Sequence, residues 1–491
     1  MTQHFPAIQV VLPLVSAPLC LLLRNVHLVH TFAVGVAWGC LFVSGSLLKE
    51  VLTSGVIKYE LGGWAAPWGI EYRVDIANAY VLVIVSTIAA VVLPFGRGAR
   101  DVTRVRGQEY LFYSAFLLCL TGLLGITITG DAFNVFVFLE ISSLSAYTLV
   151  AMGQGRRALI AAYAYLVLGT IGGTFLLIGI GFMYEMTGTL NMEDLTARLP
   201  PVMGTRTIMV SFAFIVIGTS IKLAVFPLHQ WLPNAYTYAP GMVSAFLSAT
   251  ATKVSYYVLV RVLFTLFGVA FVFDTLHLHY LLVPFSLAAM FVGSLAAIHQ
   301  DDIKRLLAYS SVAQIGYMTL GLSTGTVAGL TGGLVHLFNH ALMKGGLFLV
   351  VACVGFKVGC NRIDSYAGLG RRMPLTMAAF VVGGLSLIGV PATVGFVSKW
   401  YLIAAVLEQG WYLVAFLVLL SSLLAVVYVW RIVEIAYLKP PPEGREIQEA
   451  PLSMLLPTWA LIGATIYFGF ATDLTVGVAR AAAEQLFGHG P

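Results

Sequence analysis

Residues 218–233 read Gly-Thr-Ser-Ile-Lys-Leu-Ala-Val-Phe-Pro-Leu-His-Gln-Trp-Leu-Pro. One lysine, Lys222, stands inside a long apolar run, and Pro227 and Pro233 follow it. Proline removes a backbone donor and cannot continue a helix interior, so the run must bend or break. At membrane depth a broken helix bares carbonyls and amides, which is tolerated only where they line a polar cavity. Composition places the run at that depth. The chain has 491 residues, 59% hydrophobic and 10% charged, with a mean hydropathy of +0.91. Soluble domains carry about 25% charged residues, and a folded soluble domain needs a polar skin that this chain cannot supply.

Outward from that run, apolar stretches lie near 7–24, 28–48, 74–96, 109–129, 132–152, 159–184, 207–227, 240–266, 278–298, 306–323, 327–356, 374–390 with 394–408, 411–437 and 453–472. At roughly 20 apolar residues per crossing they predict an all-α polytopic membrane protein of about fourteen transmembrane helices. No long polar stretch separates them, so no soluble domain is expected, and Asn191–Leu199 reads as a short interfacial helix. The first run lacks a basic leader and a cleavage site and is expected to stay as a span.

Basic loop residues set the orientation. Arg24, Arg97, Arg100, Arg104, Arg106, Arg156, Arg157, Lys304, Arg305, Lys357, Arg362, Arg371, Arg372, Arg431, Lys439 and Arg445 fall on one side, read as cytoplasmic. Lys49, Lys58, Arg73, Arg198, Arg206 and Arg480 fall on the other. With an even number of spans, both termini face outward, to the periplasmic side of a bacterial inner membrane. The net charge of +5 is scattered and implies no nucleic acid. Cys20, Cys40, Cys119, Cys353 and Cys360 form no CxxC pair and read as packing residues rather than ligands.

Within the apolar runs stand five basic residues, Lys222, Lys253, Arg261, Lys344 and Lys399, and one clear acid, Glu140. An ionisable group at bilayer depth costs about 2.5–3.5 kcal/mol on insertion scales, so such residues usually line a wet path or pair with each other. Lys399 follows a second Gly/Pro interruption at Gly389–Gly395, and two interrupted spans, one per half, are the mark of an inverted repeat. Between them His336, His340 and Lys344 share one helix face at four-residue spacing. Histidine changes charge near neutral pH, so this ladder reads as a proton relay, with helical His-x3-His metal chelation as the competing reading. Lys253 is placed to bridge the halves, and Arg261 on the same helix is either part of the path or an end anchor. His229 and Asp131 are candidates for an access path. No nucleotide loop, nucleophile triad or haem ligand pair is present, and no cofactor is expected.

These residues in this order resemble the proton-translocating antiporter-like family shared by complex I, membrane-bound hydrogenases and Mrp cation/proton antiporters, with the D-type Mrp component the nearest. The pieces that carry the resemblance are Gly130-Asp131 leading to Phe138-Leu139-Glu140, Lys222 with 226–233, 302–311, and His336 through Lys344. Asn234 departs from it, since relatives often carry an acid there. The resemblance implies two inverted five-helix repeats with two broken helices, dividing the chain at 1–108, 109–266, 267–437 and 438–491. It implies a Glu140–Lys222 pair, a second-half lysine at Lys399, and other membrane subunits as partners. The transported species would be protons and monovalent cations, with proton pumping driven by electron transfer elsewhere as the alternative.

Overall fold

The computed structural model describes residues 2–96, 108–441 and 447–488. Arg97, Arg100, Arg104, Arg106 and Arg445, which weigh on the orientation, lie outside the described residues. The helices run α1 Phe5–Leu22, α2 Val26–Ser54, α3 Ile76–Phe95, α4 Glu109–Ile128, α5 Ala132–Ala151, α6 Arg156–Thr187, α7 Met192–Arg198, α8 Arg206–Leu223, α9 Trp231–Tyr238 and α10 Gly241–Val260. They continue as α11 His279–Ile298, α12 Ile303–Ser323, α13 Val327–Val358, α14 Leu369–Arg372, α15 Pro374–Ile388, α16 Val394–Glu408, α17 Tyr412–Leu438, α18 Leu452–Phe470 and α19 Thr472–Leu486. Strands β1 (Ile57–Glu60) and β2 (Glu71–Val74) form one antiparallel hairpin with Ile57 opposite Val74.

Among the described residues twelve helices are long and apolar enough to cross a membrane. The stretches 306–323 and 374–408, also read as spans, correspond to α12 and to the α15/α16 pair, which those twelve do not include. Helix starts follow ordinary capping chemistry: the carboxylates of Asp75, Asp131 and Asp302 accept backbone N–H bonds at the heads of α3, α5 and α12. The short helix expected over Asn191–Leu199 is α7, capped by Asn191.

Both interruptions are present. The first covers 224–230 around Pro227, just after Lys222: α8 stops at Leu223, and Ala224 turns left-handed at φ 62°. Pro233 lies in the first turn of α9, where a missing backbone donor costs nothing. The second interruption matches 389–395, with Gly389 at φ 92° and Ala392 at φ 69° between α15 and α16. The span read as 240–266 is α10 followed by a π-helical turn, Arg261–Leu266, and a second such turn covers Ala270–Thr275.

One helix lies beyond the spans that the sequence marks. The 453–472 span is followed by α19, packed on α3 and α13, with Gln485 Oε1 accepting the backbone N–H of Ile76 at 3.1 Å. The N-terminus lies near the same hairpin, His4 Nδ1 being 3.1 Å from the Tyr59 hydroxyl. Both ends of the described chain therefore sit on the hairpin face.

Candidate functional site: a buried file of lysines and histidines

Packing of α5, α6 and α8 fixes the first part of the site. α6 and α8 approach through small residues: a Cβ on Gly218 would come within 2.6 Å of the Gly172 carbonyl. Beside that seam Gly173 leaves room for Glu140, whose Oε1 would clash with a Cβ at that position. Lys222, in the last turn of α8, then reaches α5. Its Nζ donates to Ser143 Oγ at 2.8 Å and lies 3.4 Å from the Tyr147 hydroxyl and 3.5 Å from Glu140 Oε1. The pair is asymmetric, with 6% of the lysine side chain exposed against 26% of the glutamate. The helix end favours the lysine as well, because unpaired carbonyls make the C-terminus partly negative.

The structure gathers most of the other expected residues between the two interruptions. Lys253, His336, His340 and Lys344 are completely buried. Lys253 Nζ donates to the Ser248 carbonyl and to Thr252 Oγ1, and it lies within electrostatic reach of His340 and Lys344. The rings of His336 and His340 are nearly parallel at 6.0 Å. His336 Nδ1 sits 2.9 Å from Ser398 Oγ on α16, beside Lys399 in sequence. Both ring nitrogens of His340 lack a protein partner among the described residues, a costly state for a buried group. Lys344 Nζ turns to α12, donating to the Leu307 carbonyl at 2.9 Å and to Ser310 Oγ.

Lys399 has no carboxylate partner among the described residues, and nothing in the sequence marks what holds it. Its Nζ donates to the Ile388 carbonyl at 2.7 Å, the Leu387 carbonyl at 3.3 Å and Ser422 Oγ at 3.0 Å, and it lies 4.9 Å from the Tyr317 ring centre. Tyr317 bonds Ser421 and Ser422 through its hydroxyl and lies 5.6 Å, centre to centre, from His336. Tyr317, Ser398 and Ser422 thus join Lys399 to the histidines, and no charge pattern in the sequence singles them out.

The two access candidates stand apart. Asp131 caps α5 and accepts from the Asn134 backbone at 2.7 Å, next to a bridge with Asn191 on the hairpin face. His229 lies in the first interruption, stacked on Phe226 at 5.3 Å. Arg261 is held by an acid: its Nη2 donates to Asp75 Oδ1, near the start of the 74–96 stretch. Outside the membrane-spanning helices, a hydrogen bond from Lys58 and the charge of Arg73 hold the Glu193 carboxyl below its ordinary value.

A lysine paired with a carboxylate at one helix interruption, buried lysines and histidines beyond it, and a second lysine at the other interruption form an arrangement that can pick up, hold and pass protons. The chain is 44% identical over 479 residues to the N component of NADH-quinone oxidoreductase from Desulforudis audaxviator, covering 94% of each protein. It is 29% identical to the D component of the Na(+)/H(+) antiporter from Bacillus subtilis, covering 99% of this chain and 97% of that one. Its fold superposes with a TM-score of 0.90 on a chain of the Mrp complex from Dietzia sp. DQ12-45-1b, at 25% identity over 99% of this chain and 97% of the other. The same TM-score, at 30% identity over 98% and 97%, relates it to a chain of the membrane-bound sulfane sulfur reductase, an archaeal respiratory membrane complex. Residues 129–425 match the family described as NADH:quinone oxidoreductase/Mrp antiporter, TM, and the chain belongs to that family.

Proposed function

We propose that this chain is the proton-translocating subunit of a multi-subunit monovalent cation (Na+/K+)/proton antiporter. Protons pass along a hydrated file in which Glu140 and Lys222 load, Lys253 and the His336/His340/Lys344 face transmit, and Lys399 exchanges with the opposite side. The observation that carries the reading is the Glu140–Lys222 pair at the first interruption. An ammonium that can swap a carboxylate for the Ser143 and Tyr147 hydroxyls changes its hold on a proton without moving far. Partner subunits are supported by the position of Glu140 between exposed Phe133 and Leu144 on the side of the molecule. A carboxylate facing lipid there is costly, and a neighbouring membrane subunit would cover it. The test is Glu140→Gln, which keeps volume and removes charge: cation/proton exchange in vesicles should be lost with the complex still assembled. Exchange at the wild-type rate would sink the reading.

A second reading keeps the machinery and changes the energy source: a proton-pumping, N-type subunit of a complex I-like quinone oxidoreductase or membrane-bound hydrogenase. The 44% identity to an N-type relative favours it. Co-purifying subunits discriminate, since small membrane partners point to the antiporter and cluster-binding ones to the redox complex.

The architecture we propose has fourteen spans, counting α12 and the α15/α16 pair, in a bacterial cytoplasmic membrane. Helices α4–α10 and α11–α17 form two inverted five-helix repeats, with α1–α3 before them and the 438–491 segment after. The antiparallel bridges Asp131↔Asn191 and Asp302↔Arg362, each joining a capping aspartate to the loop after the next helix, support the repeat. The hairpin face, with both termini, points outward. An impermeant thiol reagent added outside should modify Thr196→Cys and spare Arg305→Cys; the reverse pattern would invert the orientation.

A further inference from the structure

Asp75 and Arg261 lie outside the relay proposed above, yet they are paired with each other with little of either side chain exposed. Arg261 Nη2 donates to Asp75 Oδ1, its Nε donates to the Tyr257 hydroxyl at 2.8 Å, and its guanidinium carbon lies 5.2 Å from the centre of that ring. A buried ion pair contributes little net stability compared with an apolar pair of the same volume, so its presence calls for another role.

Three adjoining cavities give one. The first, about 30 Å³, is lined by Lys222, Ser143, Ser255 and Val258. The second, also about 30 Å³, shares Val258 with it and is walled mainly by apolar residues such as Leu176, Ile180 and Met183, with Tyr257 and Arg261 at its end. The third, about 310 Å³, shares Tyr257 and Arg261 with the second and opens beneath the hairpin beside Arg73, Glu193 and Thr196. Each small chamber has room for a water or two, but an apolar one stays dry. Lys222 is therefore joined to the hairpin face by a line of cavities narrowed at two places: the apolar second chamber, and the wall between it and the third, where Tyr257 and the Asp75-bound Arg261 stand. The helix carrying Arg261 changes there from α to π, a form found mostly at functional sites.

We propose that the Asp75–Arg261 pair is a latch on an outer opening of the first half, through which Lys222 exchanges protons with the hairpin face when the pair parts. This door is separate from the Lys399 exit, and the proposal rests on the proton-translocating reading and on the outward hairpin face. In the structure the latch is shut, which keeps the Glu140–Lys222 pair from leaking protons across the membrane.

The test reads the opening itself, without an ion gradient, so its outcome is independent of whether Glu140→Gln abolishes exchange. In the assembled complex, with the five native cysteines replaced, Val258→Cys reports the wall shared by the two inner chambers, and Thr196→Cys reports the outer cavity. Asp75→Asn removes the charge but keeps a good helix cap for α3. An impermeant thiol reagent on the hairpin side should modify Thr196→Cys equally with and without Asp75→Asn. It should modify Val258→Cys about tenfold faster when Asp75→Asn is present, as the population shifts toward the open state. Should Asp75→Asn prevent assembly, Tyr257→Phe removes one latch hydrogen bond with both charges kept, and about a threefold rise is expected. Equal Val258→Cys rates in latched and unlatched chains, with Thr196→Cys reactive in both, would overturn the proposal.

Discussion

The two interrupted helices hold their lysines by different means. Lys222 stands before its break, on the last turn of α8, and faces a carboxylate from α5. Lys399 stands after its break, within α16, and faces the last carbonyls of α15. Counted from the capping aspartates Asp131 and Asp302, Ser311 takes the place in the second series that Glu140 takes in the first, and Lys344 the place of Gly173. In the first half a glycine makes room for an acid; in the second a lysine fills that room and bonds the neighbouring serine, Ser310. The first lysine thus answers to a formal charge that can itself be protonated or drawn away. The second answers to fixed dipoles, the negative end of a helix, which cannot be switched off. Lys222 also sits at a helix end, so the variable carboxylate is what sets it apart, and that difference fits the loading role proposed for Lys222 and the exchanging role proposed for Lys399.

Lys399→Ala should break the comparison most visibly. It removes the titratable group while leaving the α15 carbonyls to water, so exchange should fall about a hundredfold or more, the range lost with a proton-transfer group. Assembly should be spared. Lys399→Glu keeps a titratable group and should retain more exchange than alanine, although helix carbonyls favour a cation over an anion. Full exchange in Lys399→Ala vesicles would mean that protons leave elsewhere, and the first-half opening behind Asp75–Arg261 would then be the whole exit.

Much of this arrangement is legible in the sequence because charge is expensive in lipid. Glu140, Lys222, Lys253, His336, His340, Lys344 and Lys399 stand out against apolar runs, and the structure draws all but Glu140 and Lys222 around the second interruption and its approach. What stays hidden is held by groups that every sequence contains. The carbonyls of Leu387 and Ile388 become ligands only because α15 stops at Gly389 beside α16. Ser398, Ser422 and Tyr317 are ordinary residues until four helices, α12, α13, α16 and α17, bring them within 3.2 Å of a partner. Asp75 lies at the start of the 74–96 stretch, far in sequence from its partner, and only the return of α10 puts Arg261 against it. The first break lies around Pro227 as its prolines suggest, but the residue that ends α8, the left-handed Ala224, carries no sequence signal. Helix α19 is invisible to any search for apolar spans because it carries the charged residues Asp473, Arg480 and Glu484.

The smallest effect concerns the roof over the first half. Glu193, in the first turn of α7, bonds Lys58 of β1 at 2.5 Å and Arg73 of β2 at 2.8 Å, tying the hairpin to the outer cavity. At the matching place in the second half, Arg362 reaches Asp364 at 3.6 Å with both side chains mostly exposed, a contact within one loop that ties nothing together. Lys58 and then Arg73 hold the Glu193 carboxyl below its ordinary value. The folded form therefore binds its proton more weakly than the unfolded one. The stabilisation is fully present above the usual glutamate range, near pH 4.3, and disappears as pH falls through the lower folded value. Glu193 is about half exposed, so solvent screening leaves a docking contribution of the size of surface pairs, about 0.2–1 kcal/mol. Spin labels at Leu61→Cys and Ala197→Cys should show one short distance at neutral pH and a growing longer one as pH drops below the usual glutamate range. Glu193→Gln should show the longer distance at every pH, with exchange reduced no more than about twofold. A distance distribution in the wild-type chain that ignores acid would mean that backbone contacts, such as the Gly130 N–H to Glu71 carbonyl bond at 2.9 Å, hold the roof, and that the two halves differ less at this face than their charges indicate.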